Sequence, residues 1–207
     1  MKIFEKNTHE TFGYLLIHSV FLKDGRIRKG KIIDKDDISL MKRSGIEKVY
    51  VGEFEEDDIS ENSASSLIAK AIATNQFSIS PTLSGKTNIT STSDGLIEIY
   101  EDNVKSLNNL SPNIAVSTLN NHDVIYRGDH IVSIKIISYS ISSSDLDKII
   151  KFLKKNKIIK PKKFKSMRFG VIYTTAKNEK ISLIEKAKKS LKSRISDYNS
   201  TIMEERV

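Results

Sequence analysis

The stretch FGVIYTTAKNEKISLIEKAKKSLKSRISDYNSTIMEER, residues 169–206, decides how the chain is read. Residues 169–173 form a short, nearly all-apolar run, as parallel strands covered on both faces do. Residues 174–180 are a polar loop. Residues 181–195 repeat apolar side chains at helical spacing, with Leu183, Ile184, Ala187, Leu191 and Ile195 on one face. Residues 200–206 read as a second strand. Strand, loop, helix and strand make one β-α-β unit, and a parallel sheet needs helices on both faces. The sheet is therefore expected to continue past Val207, or to be completed by a partner or a second copy of the chain.

Immediately upstream the sequence is strongly basic. Residues 148–194 hold 17 Lys and Arg against Glu179 and Glu185 only, a net charge of +15. Residues 1–147 hold 16 Lys and Arg against 21 Asp and Glu, a net of −5. An acidic front joined to a basic back puts a boundary near residue 150. Ser142-Ser143-Ser144-Asp145 caps a basic helix of about ten residues. KKNKIIKPKKFKSMR (residues 154–168) follows as a connector containing Pro161. This divides the chain into an N-terminal α+β domain (1–147), a basic helix and linker (148–168), and the start of an α/β domain (169–207).

The front domain reads as β-rich with a few helices. Asp24-Gly25 between two alternating runs is a hairpin signal. Residues 34–45 form the clearest helix. Asp34 or Asp36 caps it, Ile38, Met41 and Leu40 are its apolar stripe, and Gly45 stops it. Residues 46–51 alternate as a strand. A second helix opens at Asp57 or Asp58 with Ala64, Leu67, Ile68, Ala71 and Ile72 inward. Strands follow at 77–80, 86–91, 96–100 and 113–119, with a short helix over 101–109 that turns Val104 and Leu107 inward. Residues 131–141, rich in β-branched side chains, are the strongest strand of all. The fold class is thus α+β, followed by one β-α-β unit of an incomplete three-layer α/β domain.

Several function classes drop out. No window holds 18 consecutive apolar residues, so no membrane span is expected. The N-terminus lacks the basic start and long apolar core of a signal peptide. With no cysteine there is no thiolate metal site, disulfide framework or cysteine nucleophile. The cytoplasm is the expected compartment. No G-x-G-x-x-G or Walker loop occurs. His9, His18, His122 and His130 lack i, i+4 spacing, and no metal site is expected in this chain. The acidic clusters at 34–37 and 53–58 sit where they cap helices. The basic stretch 148–194 would suit a nucleic-acid-binding or assembly module, yet only Phe152 and Phe164 interleave with its cations. The loop after residue 173 carries the most chemistry. It lies at the C-terminal end of a strand and before a helix, where open α/β sheets take ligands. The hydroxyls of Thr174 and Thr175, the free helix N–H groups and Lys186 would suit an anionic group such as a phosphate.

GYLLIHSVFLKDGRIRKGKIIDKDDISLMKRSGIEKVYVGEFEEDDISENSASSLIAKAI (residues 13–72) resembles the opening of a bacterial molybdopterin-binding protein family. Gly13 to Ser19 is similar to its G-x-[IL]-L-x-H-S segment. Arg28-Lys29-Gly30-Lys31 is similar to its K-K-G turn, and Gly45 to Val51 to its G-[IV]-x-x-V-x-V strand. SPTLSGKTNITSTSDGLIEIYEDNVKSLNNL (80–110) resembles a later segment. GDHIVSIKIISYSI (128–141) resembles a further strand, with Ser138 where proline is usual. The family's next domain is a cofactor-binding α/β fold related to molybdopterin molybdenumtransferase, and residues 169–175 resemble its first strand and loop. Thr174-Thr175-Ala176-Lys177 lacks the glycine and acid of that family's T-G-[DE]-E loop, and the later glycine-rich pterin-binding segments lie outside these residues. The resemblance implies a protein of molybdenum cofactor biosynthesis or handling that binds molybdopterin or its nucleotide form and does not catalyse by itself.

Overall fold

The computed structural model describes residues 1–174, 181–196, 198 and 200–207, and shows a mixed α/β chain of small, mostly antiparallel sheets with helices packed on them. Its first part comprises β1 (Lys2–Asn7), β2 (Leu15–Leu16), β3 (Val20–Leu22), β4 (Gly25–Ile27), α1 (Lys35–Arg43) and β5 (Lys48–Glu53). The sheet order is β1-β5-β2, and β3 and β4 form a separate hairpin. Asp34 caps α1 in a reciprocal box: its carboxylate accepts from the Asp37 N–H at 2.8 Å, and Asp37 accepts from the Asp34 N–H at 3.1 Å. Met41 is fully buried with Leu16, Ile33 and Val51. Leu40, expected inside, is 43% exposed, because Ile38 and Met41 already fill the inner stripe.

The main body follows with β6 (Asp58–Ser60), α2 (Glu61–Ile72), β7 (Phe77–Ile79), β8 (Lys86–Ser91), β9 (Gly95–Ile99), α3 (Glu101–Asn108), β10 (Ile114–Thr118), β11 (Val124–Ile125), β12 (His130–Ile136), β13 (Ser140–Ser142), α4 (Ser143–Lys155) and β14 (Ile159–Lys163). One sheet runs β10-β12-β8-β7 and another β11-β9-β14. The core lies between them, with Ile89, Ile134, Ile136, Ile97, Ile68 and Ile149 all sealed from water. Each such side chain contributes about 1.5–3 kcal/mol by leaving water. Asn108 clamps the edge strand β10, accepting from the Val116 N–H at 2.7 Å and donating to its carbonyl at 2.9 Å.

Three expectations change here. The second helix starts at Glu61 rather than at Asp57 or Asp58, because Ser60 takes the cap and Asp58 belongs to β6, which pairs with β13. Its inner face uses Ser65, whose hydroxyl donates to the Thr87 hydroxyl at 2.8 Å, while Leu67 is exposed. The run 131–141 is two strands. Between them the Tyr139 hydroxyl donates to the Ile17 carbonyl at 2.6 Å, joining the first part to the main body. The third change concerns the basic connector. Ile158 and Ile159 are buried in the core, and β14 pairs antiparallel with β9 from Ile159↔Ile99 to Lys163↔Gly95. Pro161 is tolerated there because β14 is an edge strand. The charge step near residue 150 therefore falls inside α4, whose inner face (Leu146, Ile149, Leu153) belongs to the same core.

The last elements are β15 (Arg168–Ile172), α5 (Ile181–Ser196) and β16 (Thr201–Arg206). β15 and β16 pair in parallel. The strand at 168–172 is half-buried in alternation rather than enclosed, and Ile172 is 74% exposed.

A Cβ placed on Gly95 would run into the Lys162 carbonyl of β14. Gly95→Ala is expected to cost about 1–3 kcal/mol and to free β14, read as faster tryptic cleavage after Lys162 and Lys163 together with a lower urea midpoint. Unchanged cleavage would speak against the β9–β14 pairing. Asp145, in the first turn of α4, binds Lys148 at 3.0 Å and the Ser111 hydroxyl at 3.1 Å, and these hold its carboxyl below the usual range against the opposing effect of burial. With a folded pKa below the unfolded one, its stabilisation is present at neutral pH and lost as pH falls through the folded value. Asp145→Asn should lower stability at pH 7 by about 0.5–1 kcal/mol and flatten the decline below about pH 4. Urea unfolding at pH 7 and pH 3 measures both effects.

Candidate functional site

The C-terminal end of β15 gathers polar groups that the surrounding apolar positions do not explain. Beyond Ile172, the Tyr173 N–H donates to the Arg206 carbonyl at 2.8 Å and extends the ladder by one residue. Glu205, on β16, turns toward α5, where its carboxylate lies 3.6 Å from Lys188 Nζ and 3.8 Å from Lys192 Nζ. The Lys188 ammonium also sits over the Tyr173 ring, 5.2 Å from its centroid. The Tyr173 hydroxyl and Glu205 Oε1 are both shielded from water without a hydrogen-bond partner. Burial first, and the Glu205 charge second, push the Tyr173 phenol above its ordinary pKa.

Of the residues expected at this site, Thr174 is exposed just past the end of β15, and Lys186 is exposed on the outer side of α5. Thr175 lies outside the described residues. The cation that α5 turns toward the sheet is Lys188, which sequence reasoning passed over. The signal was present: Lys188 continues the i, i+4 and i, i+3 series through Ile184, Leu191 and Ile195, all half-buried, whereas Leu183 and Ala187 are exposed. An ionisable group on an apolar stripe is the departure that marks it.

The Glu205 carboxylate thus balances two ammonium groups through ion pairs, while its Oε1 and the Tyr173 hydroxyl keep unused hydrogen-bonding capacity. Lys188, Lys192 and Thr174 would meet a phosphate, and Glu205 would accept from ring N–H groups. Next to this cluster an apolar groove of about 560 Å³ runs along β15, lined by Met167, Phe169, Val171, Leu191 and Ile195 and closed at one end by the edge-to-face pair Phe164 and Tyr198.

Among the described residues, five of the 17 cations of the basic run 148–194 are paired with acids of the same fold. Lys148 pairs with Asp145, Lys162 with Glu98 at 3.1 Å, and Lys188 and Lys192 with Glu205. No group of three or more His, Cys, Asp and Glu that could hold a metal ion occurs among the described residues. No helix among them is long and apolar enough to cross a membrane. A second concavity, about 880 Å³, opens in the first part of the chain between the β3–β4 hairpin and α1.

Glu205→Gln should bring the Tyr173 phenol part of the way back toward its ordinary pKa, the share due to burial remaining. Ultraviolet titration of tyrosinate, with Tyr173→Phe to assign the transition, reads this directly.

No curated protein and no solved structure matches the chain. Residues 5–53, the segment that folds as β1 to β5, match the family model described as a domain of unknown function, DUF8806.

Proposed function

We propose that this chain is a molybdopterin-binding protein of molybdenum cofactor biosynthesis or handling, acting in the cytoplasm and not catalytic by itself. The observation that carries the reading is the cluster at the end of a parallel strand pair. The Tyr173 hydroxyl and Glu205 Oε1, both buried without a hydrogen-bond partner, gather with Lys188 and Lys192 just before Thr174. In this reading β15, α5 and β16 are the first β-α-β unit of a three-layer α/β domain. Ligands of such domains collect beyond the carboxyl ends of the strands. The sequence resemblance of residues 13–72, 80–110 and 128–141 to the molybdopterin-binding family supports the same assignment. The first part and the main body then act as the scaffold on which the binding unit is mounted, and a second copy or a partner completes its sheet.

The chain's own residues would bind and orient the ligand. Lys188 and Lys192 neutralise a phosphate, Thr174 donates to it, and Glu205 fixes the ring edge.

Anaerobic isothermal titration with molybdopterin tests the proposal. Saturable one-to-one binding is expected, weakened at least tenfold by Lys188→Ala, roughly the effect of losing one charge-assisted hydrogen bond. Lys186→Ala should change affinity little. Absence of binding, or a loss with Lys186→Ala as large as that with Lys188→Ala, would sink it.

A further inference from the structure

The cleft between the β3–β4 hairpin and α1 carries a charge that its surroundings do not. Six of the sixteen Lys and Arg among residues 1–147 line it: Lys23, Arg26, Arg28, Lys29, Lys31 and Arg43. Only two acids join them, Asp24 and Asp37. Asp37 is spent on Lys31, its buried carboxylate lying 2.7 Å from the ammonium, with Asp34 adding a second contact at 3.0 Å. The hydrogen bonds that Lys31 donates to Asp37 and Asp34 raise its pKa and hold its charge in place. The other five cations make no ion pair among the described residues. The cleft thus keeps a net formal charge of +4 within a region whose total is −5. Like charges on concave, low-dielectric walls focus potential and raise the local concentration of anions.

The lining also says what kind of anion fits. Three of the cations are guanidinium groups, whose planar forks match phosphate oxygens two at a time. Beneath them the side chain of Ile27 is buried, Leu22 is half-buried, and Leu40 leaves 43% of its surface open at the cleft. Leu40 stands off the apolar stripe of α1, so packing of the helix does not account for it. A bare ion would leave that surface wet, whereas an organic group would cover it. The volume, about 880 Å³, is that of a small-molecule site.

We infer that this cleft is a binding site for a phosphate-bearing small organic molecule, gripped by Arg26, Arg28 and Arg43 with its organic part on Leu40 and Leu22. The site lies wholly within residues 22–44 and is independent of the pterin reading.

Fluorescence titration of the full chain with trinitrophenyl-ATP, in competition with ATP and with sodium pyrophosphate, tests this. Saturable binding is expected, with ATP competing more strongly than pyrophosphate. The double variant Arg26→Ala/Arg28→Ala should weaken it at least tenfold. Both side chains are exposed and unpaired, so its melting curve should match that of the parent. Leu40→Ala should weaken ATP while leaving pyrophosphate unchanged. Lys188→Ala should leave this binding intact, so its result stands whatever molybdopterin does. The inference is overturned by an absence of saturable binding, or by an affinity that the double variant does not alter. It is equally overturned if a single-stranded oligonucleotide binds more tightly than ATP with a steep salt dependence, which would assign the charge to nucleic acid.

Discussion

Helix α2 lies across β8 and β12 and against α4, and the rest of the main body is arranged around that contact. Ile89 and Ile134, on those two strands, share one core with Ala64, Ile68 and Ile72 on the inner face of α2. Small residues at 64, 65 and 69 let the helix come close, and the single polar side chain among them, Ser65, is satisfied by Thr87, which also meets the Thr82 hydroxyl at 2.7 Å. With α2 fixed, α4 has an apolar surface to pack on, and the chain leaving α4 must cross back over the body. It does so by adding to the open edge of β9. The Lys-rich segment is thereby a strand because of where α4 releases it, not because of its own composition.

That dependence explains which parts were legible in the sequence. Local signals were sufficient where the cause is local. The capping carboxylate of Asp34, the Asp24-Gly25 hairpin, the cap at Ser142 and the inward Leu107 all appear where residue chemistry puts them. Reading failed where a distant partner decides. Nothing near residue 139 announces that its hydroxyl will reach Ile17, and this contact accompanies the bend in the β-branched run 131–141. Nothing near residue 160 reveals an unpaired strand edge some sixty residues earlier. Leu67 looks like core and Ser65 does not, until Thr87 supplies the hydrogen-bond partner that makes Ser65 the better inward choice.

The candidate site shows the same limits at smaller scale. A strand followed by a helix was readable there, but which cation the helix turns toward the sheet was not. Lys186 and Lys188 differ by about 200° around a helix axis, and only the positions of Ile184, Leu191 and Ile195 tell them apart. The cleft beside α1 was invisible for another reason. Its cations come from a hairpin and a helix that sequence alone does not bring together, and they are outnumbered by acids over the same domain. Net charge over 147 residues hid a local surplus of the opposite sign.

The pairing of Ile99 with Ile159 also sets an order of events during synthesis. A ribosome adding about 5–20 residues per second needs about 3–12 s to reach the second residue after making the first. Throughout that interval the growing chain presents β9 with one side of its backbone unsatisfied, and β6 likewise awaits β13. Both sheets close late, with partners far apart along the chain, so the nascent protein passes through a window in which it can pair with a neighbour on the same message instead of with itself. The lysines of β14 itself, Lys160, Lys162 and Lys163, are the kind of charged residue that discourages a strand from pairing edge to edge with other chains while it waits.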